Sequence, residues 1–423
     1  MTFADIVDIF GSGFRSTLLP TAEYYIVFLS PILLAICLWF IFWHVWIRYV
    51  QLKQFLGIKY TILELKLPKD TFKSPLAMET VFQSIHNTAD GSAYAKFWRG
   101  ETRPWYSFEL ISVEGQVKFL IWTEDRRKSN LMSALYSQYP GIEITERADY
   151  ANSVHFDPKE IKIWAAEFKF NKPDPYPIKT YVDYGLDRDP KEEFKVDPLT
   201  HVIEWLGSLR PNEQAWFQFI IRAHVKEQRK AGHLWKKTDR WKDEAEAEVN
   251  KILLRDPKTK ASRQVSEAGF PILPTFSEGE RDIVKAIERS VTKLPFDVCV
   301  RAVYLAKRSA FDTPFGLGGL ISSMKQFNTE HLNGFRPNGS KWMAQFDYPW
   351  QDFMDFRRNY LSRKVLMAYR RRSAFYPPYK SPSLVLNTEE LATIFHFPGS
   401  VSSTPGLARV TSKKSEAPTN LPI

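Results

Sequence analysis

The residues best placed to do chemistry are the cations of WQDFMDFRRNYLSRKVLMAYRRR (350–372). Arg357, Lys364 and Arg371 recur every seven residues, nearly two helical turns, with Arg363 and Arg370 beside them and Arg372 at the end. On a helix these six form a basic stripe. Such a stripe can hold the phosphates of a nucleic acid or of anionic lipid headgroups. Phe353, Phe356, Tyr360 and Met367 are then expected to supply the buried face. A solvated helix face is the plain alternative.

Other chemistry is thin. No GxxxxGK followed by Ser or Thr occurs, so the phosphate cradle of a P-loop ATPase is missing. PFGLGGLI (314–321) carries two glycines of a dinucleotide fingerprint, Gly316 and Gly318, but Ile321 stands where the third belongs. It reads as a flexible helix entry. The acidic loop with Asp183, Asp187, Asp189, Glu192 and Glu193 lacks calcium-loop spacing and reads as surface. His396, between two phenylalanines, reads as a packed residue. Cys37 and Cys299 are the only cysteines, too few for a disulfide framework or a cysteine zinc site. The expectation is a non-enzyme with no catalytic, cofactor-binding or metal-binding residues and no cofactor.

The elements that must position the stripe begin with an apolar stretch, Tyr24 to Ile47, free of Lys, Arg, Asp and Glu. As a helix it is roughly 36 Å long, enough to cross a bilayer. Aromatics crowd its lower end and Arg48, Lys53, Lys59 and Lys66 follow at once. That bias puts residues 1–23 outside, a transmembrane helix at 24–49, and the rest in the cytoplasm. A cleaved signal peptide would need a basic leader and a small-residue cleavage site, which are missing. A short helix at 3–10 is expected on the outer face. The net charge of +10 suits an anionic partner, or simply solubility.

Periodicity predicts an α+β body. The segments 60–67, 74–88, 105–113, 116–123, 126–140 and 142–145 read as βαββαβ, a first ferredoxin-like module at 60–150. Ser74 is its expected helix cap, and the two faces of 105–113 should differ in burial. A second ferredoxin-like module is expected at 160–310, from strands 161–170, 214–225 and 296–306 with helices 199–209 and 280–294. It carries a charged helical insert at 226–276. A helical C-terminal part, 311–399, includes helices at 318–327 and 350–372, then a strand, a cap at Asn387 or Thr388, and a short helix. Residues 400–423 read as a flexible tail.

RPWYSFELISVEGQVKFLIWTEDRRKSNLMSALYSQYPGIEITERADY (103–150), followed by LVLNTEELATIFHFPGSVSSTPGLARVTSKKSEAPTNLP (384–422), resembles the non-catalytic N-terminal region of membrane-anchored ATPases of the type IV secretion and conjugation kind. Comparable proteins occur in small-genome, candidate-phylum bacteria. ELATIFHFP and the terminal APTNLP are its most specific pieces, and in such ATPases this tail looks like the lead into the motor domain. The resemblance implies that ATPase activity lies outside this polypeptide; its motifs are packing and linker motifs, so no functional residue carries over. The expected function is an inner-membrane scaffold that recruits a separate motor ATPase. The alternative is a membrane-tethered nucleic-acid-binding protein. Expected partners are the membrane, that ATPase, nucleic acid or anionic lipid, and a second copy of the chain.

Overall fold

The computed structural model describes residues 19–66, 68, 73–89, 91–187, 196–226, 228–229, 237–255, 276–338 and 348–398. The expected helix at 3–10, the acidic residues Asp189, Glu192 and Glu193, residues 256–275 of the insert and the tail at 400–423 lie outside them.

Helix α1 (Leu19–Gly57) is followed by β1 (Tyr60–Lys66), α2 (Leu76–Ile85), α3 (Ala93–Trp98) and the hairpin β2 (Trp105–Val113) and β3 (Gln116–Glu124). Then come α4 (Lys128–Gln138), β4 (Glu143–Arg147), α5 (Tyr150–Ser153), β5 (Ile161–Phe170), α6 (Pro198–Gly207) and β6 (Glu213–Ala223). A small ribbon of β7 (Gln228–Arg229) and β8 (Lys237–Thr238) leads to α7 (Arg240–Ile252), α8 (Glu278–Thr292) and β9 (Pro295–Lys307). The last elements are α9 (Thr313–Lys325), β10 (Phe335–Pro337), α10 (Phe356–Arg370), β11 (Leu384–Asn387) and α11 (Thr388–Ile394).

Two compact units result. Among the described residues, one comprises 19–58 together with 91–102. Within α1, Leu29–Gly57 is long and apolar enough to cross a membrane, with mean hydropathy 2.0; a signal sequence meets the same test. Its aromatic lower end grips α3: Trp46 Nε1 donates to the Phe97 carbonyl at 3.0 Å, and Trp43 packs on Phe97. Gly100, at φ +71°, lets the chain pass the Val50 backbone, where a Cβ would come within 2.4 Å of a carbonyl oxygen.

The other unit is built on one nine-stranded antiparallel sheet, in the order β10–β5–β9–β6–β2–β3–β1–β4, with β11 also on β9. The halves β4–β1–β3–β2 and β10–β5–β9–β6 repeat one relative order. They join where β2 pairs β6, from Trp105 opposite Arg222 to Val113 opposite Gln214. The β2–β3 hairpin turns on Glu114 (φ 51°) and Gly115 (φ 83°), the left-handed pair that a two-residue hairpin needs. Strand alternation puts Leu63, Phe108, Phe119, Phe217 and Val300 on one face. There they pack in one core with Phe82 of α2, Leu131 of α4, Leu206 of α6, Met324 of α9 and Leu391 of α11.

Several expectations change. Pro75, not Ser74, holds the cap position of α2; the Ser74 hydroxyl donates to the Leu186 carbonyl at 2.7 Å and accepts a long bond, 3.4 Å, from the Leu76 N–H. Strand β2 is buried from Trp105 to Ser112 on both faces, because it lies inside the sheet and its second face is also covered. The fourth strand of the second half is β10, reached through α9. Helix α9 overlaps the helix expected at 318–327, but no strand is expected at 335–337, since three residues leave almost no period to read. The 350–372 helix starts late: two short 3-10 turns, at 349–351 and 353–355, precede α10.

Candidate functional site

The second sheet face carries a row of polar side chains where core would be expected. Glu167 of β5, Arg301 of β9, Gln218 of β6 and Glu109 of β2 stand side by side in register, all buried. Buried charge is tolerable only when it is paired and hydrogen-bonded, and this row is linked throughout. Arg301 donates to Glu167 Oε1 at 2.8 Å and to Gln218 Oε1 at 3.0 Å; Gln218 Nε2 donates to Glu109 Oε1 at 3.0 Å.

This row receives the C-terminal end of α10. Arg372 Nε donates to Glu109 Oε1 at 2.9 Å, and its guanidinium also pairs with Asp149. Burial pushes the Glu109 carboxyl up. The charge and hydrogen bonds of Arg372, with Ser107 and Gln218, outweigh it and hold the group below the usual carboxylate range. The Tyr369 hydroxyl meets that of Tyr150 at 2.6 Å, and Tyr150 donates to Glu109 Oε2 at 2.8 Å. Gln218 reaches the Tyr369 carbonyl, Arg301 the Ser373 carbonyl and Trp105 Nε1 the Arg372 carbonyl. Arg372 sits at φ 46°, a left-handed helix-end position usually given to glycine. Its fixed side chain keeps it there.

At the other end, Asp352 accepts from the backbone N–H groups of Arg357 (2.7 Å) and Arg358 (2.9 Å). Between them Met354 (φ 53°) and Asp355 (φ 57°) are both left-handed. Such a pair costs about 1–2 kcal/mol per residue for non-glycine residues. The inward side of α10 is Ser362, Val365, Leu366, Ala368 and Tyr369, with the Tyr369 ring 5.1 Å from that of Trp216.

The predicted stripe residues divide. Arg357, Arg363 and Arg371 are exposed; Lys364 is half-buried, 5.9 Å from the centre of the Tyr360 ring. Arg370 is half-buried and turns inward to the carbonyls of Ala151 and Val154. Arg372 is not on the stripe at all but is buried against Glu109 and Asp149. The expected aromatic core face is also corrected: Phe353, Phe356, Tyr360 and Met367 are exposed. At 3.6 residues per turn, Phe356, Arg357, Tyr360, Arg363, Lys364, Met367 and Arg371 fall within one arc of roughly 120°. Apolar and basic residues therefore share the outward face. That arc was computable from spacing. Trp350 and Met354, also exposed, and the positioning residues Glu109 and Asp149 carried no comparable signal.

The remaining candidates have structural work. Gly316 and Gly319 lie inside α9, where a Cβ would run into the rings of Tyr304 (2.2 Å) and Trp205 (1.8 Å), so they allow close helix packing. Asp183 pairs with Arg289. His396 is buried with Nδ1 2.9 Å from the Ala392 carbonyl and Nε2 3.1 Å from Asp197 Oδ1. Both neighbours are acceptors, an arrangement that favours the doubly protonated ring. Among the described residues, no group of three or more His, Cys, Asp or Glu side chains is placed to hold a metal ion.

No curated protein matches the chain. A family model described as a domain of unknown function, DUF8128, matches residues 51–409. That span takes in every element of the sheet and α10, and the chain belongs to the DUF8128 family.

Proposed function

We propose that the chain is a non-enzymatic, membrane-anchored scaffold of a type IV secretion-like or conjugation-like translocation machine, docking a separate motor ATPase. In this reading α1 is a retained single span of the inner membrane, with the N-terminus outside and the residues after Arg48 in the cytoplasm, as the Lys/Arg bias favours. The body is two ferredoxin-like modules, 60–150 and 160–310, the second completed by α9 and β10. The repeated strand order supports that reading.

The observation that carries the proposal is the path of residues 384–398. They belong to the segment that resembles the lead into a motor domain. Here β11 pairs on β9 and every residue of α11 is buried, as are Phe395, His396 and Phe397. In this reading the buried segment ending at Pro398 is where the ATPase would dock. Tethering would raise the effective concentration of an ATPase at the membrane.

Affinity purification of the full-length chain from its native membranes should retain a motor ATPase that lacks a membrane domain. Loss of the chain should release that ATPase to the soluble fraction. Recovery of no ATPase, or an ATPase that stays at the membrane without this chain, sinks the reading. The second reading, a tethered nucleic-acid-binding protein, draws on Arg357, Arg363 and Arg371. It requires DNA binding that weakens with salt at a log–log slope of about −0.9 per phosphate contacted.

A further inference from the structure

We propose that the outward face of α10, with the turn before it, is an interfacial contact for an anionic lipid bilayer, separate from the spanning helix. This goes beyond the scaffold reading and does not depend on it.

Trp350 is 75 %, Phe353 and Met354 each 81 %, and Phe356 74 % exposed, in one run of seven residues. Tyr348 stacks on Trp350 at 4.6 Å. An apolar cluster of this kind on a folded body marks an interaction site. It is held outward by the fold. Asp352 clamps the first N–H groups of α10, Met354 and Asp355 take up left-handed backbone, and Arg372 pins the far end to the sheet. Strained backbone of this kind persists where the surroundings enforce it, and it clusters at functional sites such as ligand clamps.

The charge on the same face identifies the partner. Residues 356–372 contain seven cations and neither Asp nor Glu. Arg357, Arg363 and Arg371 share the exposed arc with Phe356, Tyr360 and Met367. Among the described residues beside this face, the half-buried acid Asp355 pairs with Arg358 at 2.7 Å. Tryptophan and phenylalanine beside arginine, on a helix lying flat, suit the boundary between headgroups and acyl chains. The side chains of Phe353 and Met354 have no hydrogen-bonding group to read a base edge, and acyl chains ask for none. The helix α1 in the same chain is long and apolar enough to cross a bilayer.

The test uses the full-length chain with Cys37→Ser and Phe353→Cys; Cys299 is buried and stays unlabelled. Position 353 carries an environment-sensitive dye, and the protein is reconstituted into phosphatidylcholine vesicles with or without about one-third phosphatidylglycerol. In anionic vesicles the emission should shift to the blue and be quenched by a quencher placed just below the headgroups. In neutral vesicles it should not. Each of Arg357→Gln, Arg363→Gln and Arg371→Gln should lower the ratio of inserted to free dye about fivefold at low salt. A dye at Tyr136→Cys, an exposed position on α4, should stay in water. Trp350→Cys gives a second reporting position should Phe353→Cys fold poorly. A dye that remains in water in both vesicle types overturns the proposal. So does a shift produced by single-stranded DNA on neutral vesicles but not by anionic lipid, which would reassign the face to nucleic acid.

Discussion

Helices α10 and α11 invert the usual relation between residue type and burial. The short helix α11 contains Glu389 and Glu390 and is buried at every position, while α10 leaves Phe356, Tyr360 and Met367 exposed. In α11 each glutamate side chain is met by partners, at least one of them from distant chain. Glu390 accepts from the N–H groups of Asn387 (2.9 Å) and Ile178 (3.0 Å). Glu389 pairs with Arg289 at 3.0 Å and accepts from Thr180 at 2.6 Å. Behind them Glu79 holds Lys293, Tyr181 and Thr388. Around α10 the sheet face is occupied by the Glu167–Arg301–Gln218–Glu109 row, which takes up polar groups from the helix end. Supplied partners, rather than hydrophobicity alone, set what is inside.

The largest expected effect lies at the pin of α10. Arg372→Met leaves Glu109 buried without its cation and should destabilise the body by about 3–5 kcal/mol in denaturant unfolding. A loss under about 0.5 kcal/mol, the scale of an ordinary surface change, would mean that the row is not what positions the helix.

Next comes the apolar side of α11. Leu391→Ala, in the main core, should cost about 2–5 kcal/mol by the same measurement. If the loss is instead negligible, the burial of α11 contributes little and its contrast with α10 disappears.

A smaller effect should appear in the pH dependence around α11. Burial pushes the His396 pKa down, but the Asp197 charge and hydrogen bond, with backbone acceptors, more than offset it, so the net shift is upward from 6.5. The folded form therefore binds the proton more tightly than the unfolded chain. The stabilisation is complete below about pH 6.5 and is lost as pH rises through the folded value. Burial also pushes the Glu390 carboxyl up to about 8, so its proton too is held longer in the folded state. Stability should accordingly fall as pH rises from about 5 to 8. His396→Gln should flatten the upper part of that decline. A parent stability that climbs across this range would show that the two groups are not protonated as their partners require.

The smallest effect belongs to the outward face. Phe356→Ser should change stability by less than about 0.5 kcal/mol while removing an apolar contact from the proposed lipid face. A loss comparable to that of Leu391→Ala would show that Phe356 belongs to a core after all, and the contrast between the two helices would be lost.

Much of the framework was legible in local order. Tyr24 to Ile47 reads directly as an apolar helix, Glu114–Gly115 as a hairpin, and Asn387 or Thr388 as the cap of the last helix, of which Asn387 is the one used. Each signal sits within a few residues, where period and turn chemistry act. The stripe on α10 was half legible. The sevenfold recurrence of Arg357, Lys364 and Arg371 puts them on one side, but an aromatic buried face opposite them is not what the helical angles give, since these group the aromatics with the cations.

Local order could not show that two half-sheets fuse through β2 and β6, or that three residues at 335–337 form a strand. Both depend on hydrogen-bond partners far away in the chain, and β10 acquires its strand character only by pairing with β5. Nor could it separate Arg372 from Arg371. The two are neighbours of one type, yet one is buried on Glu109 and Asp149, brought from 263 and 223 residues away, and the other faces solvent. Residue type and spacing set which side chains can bear charge or bury surface. The assembled sheet sets which of them find a partner, because the cost of burying a charge is met only by groups that tertiary contacts deliver.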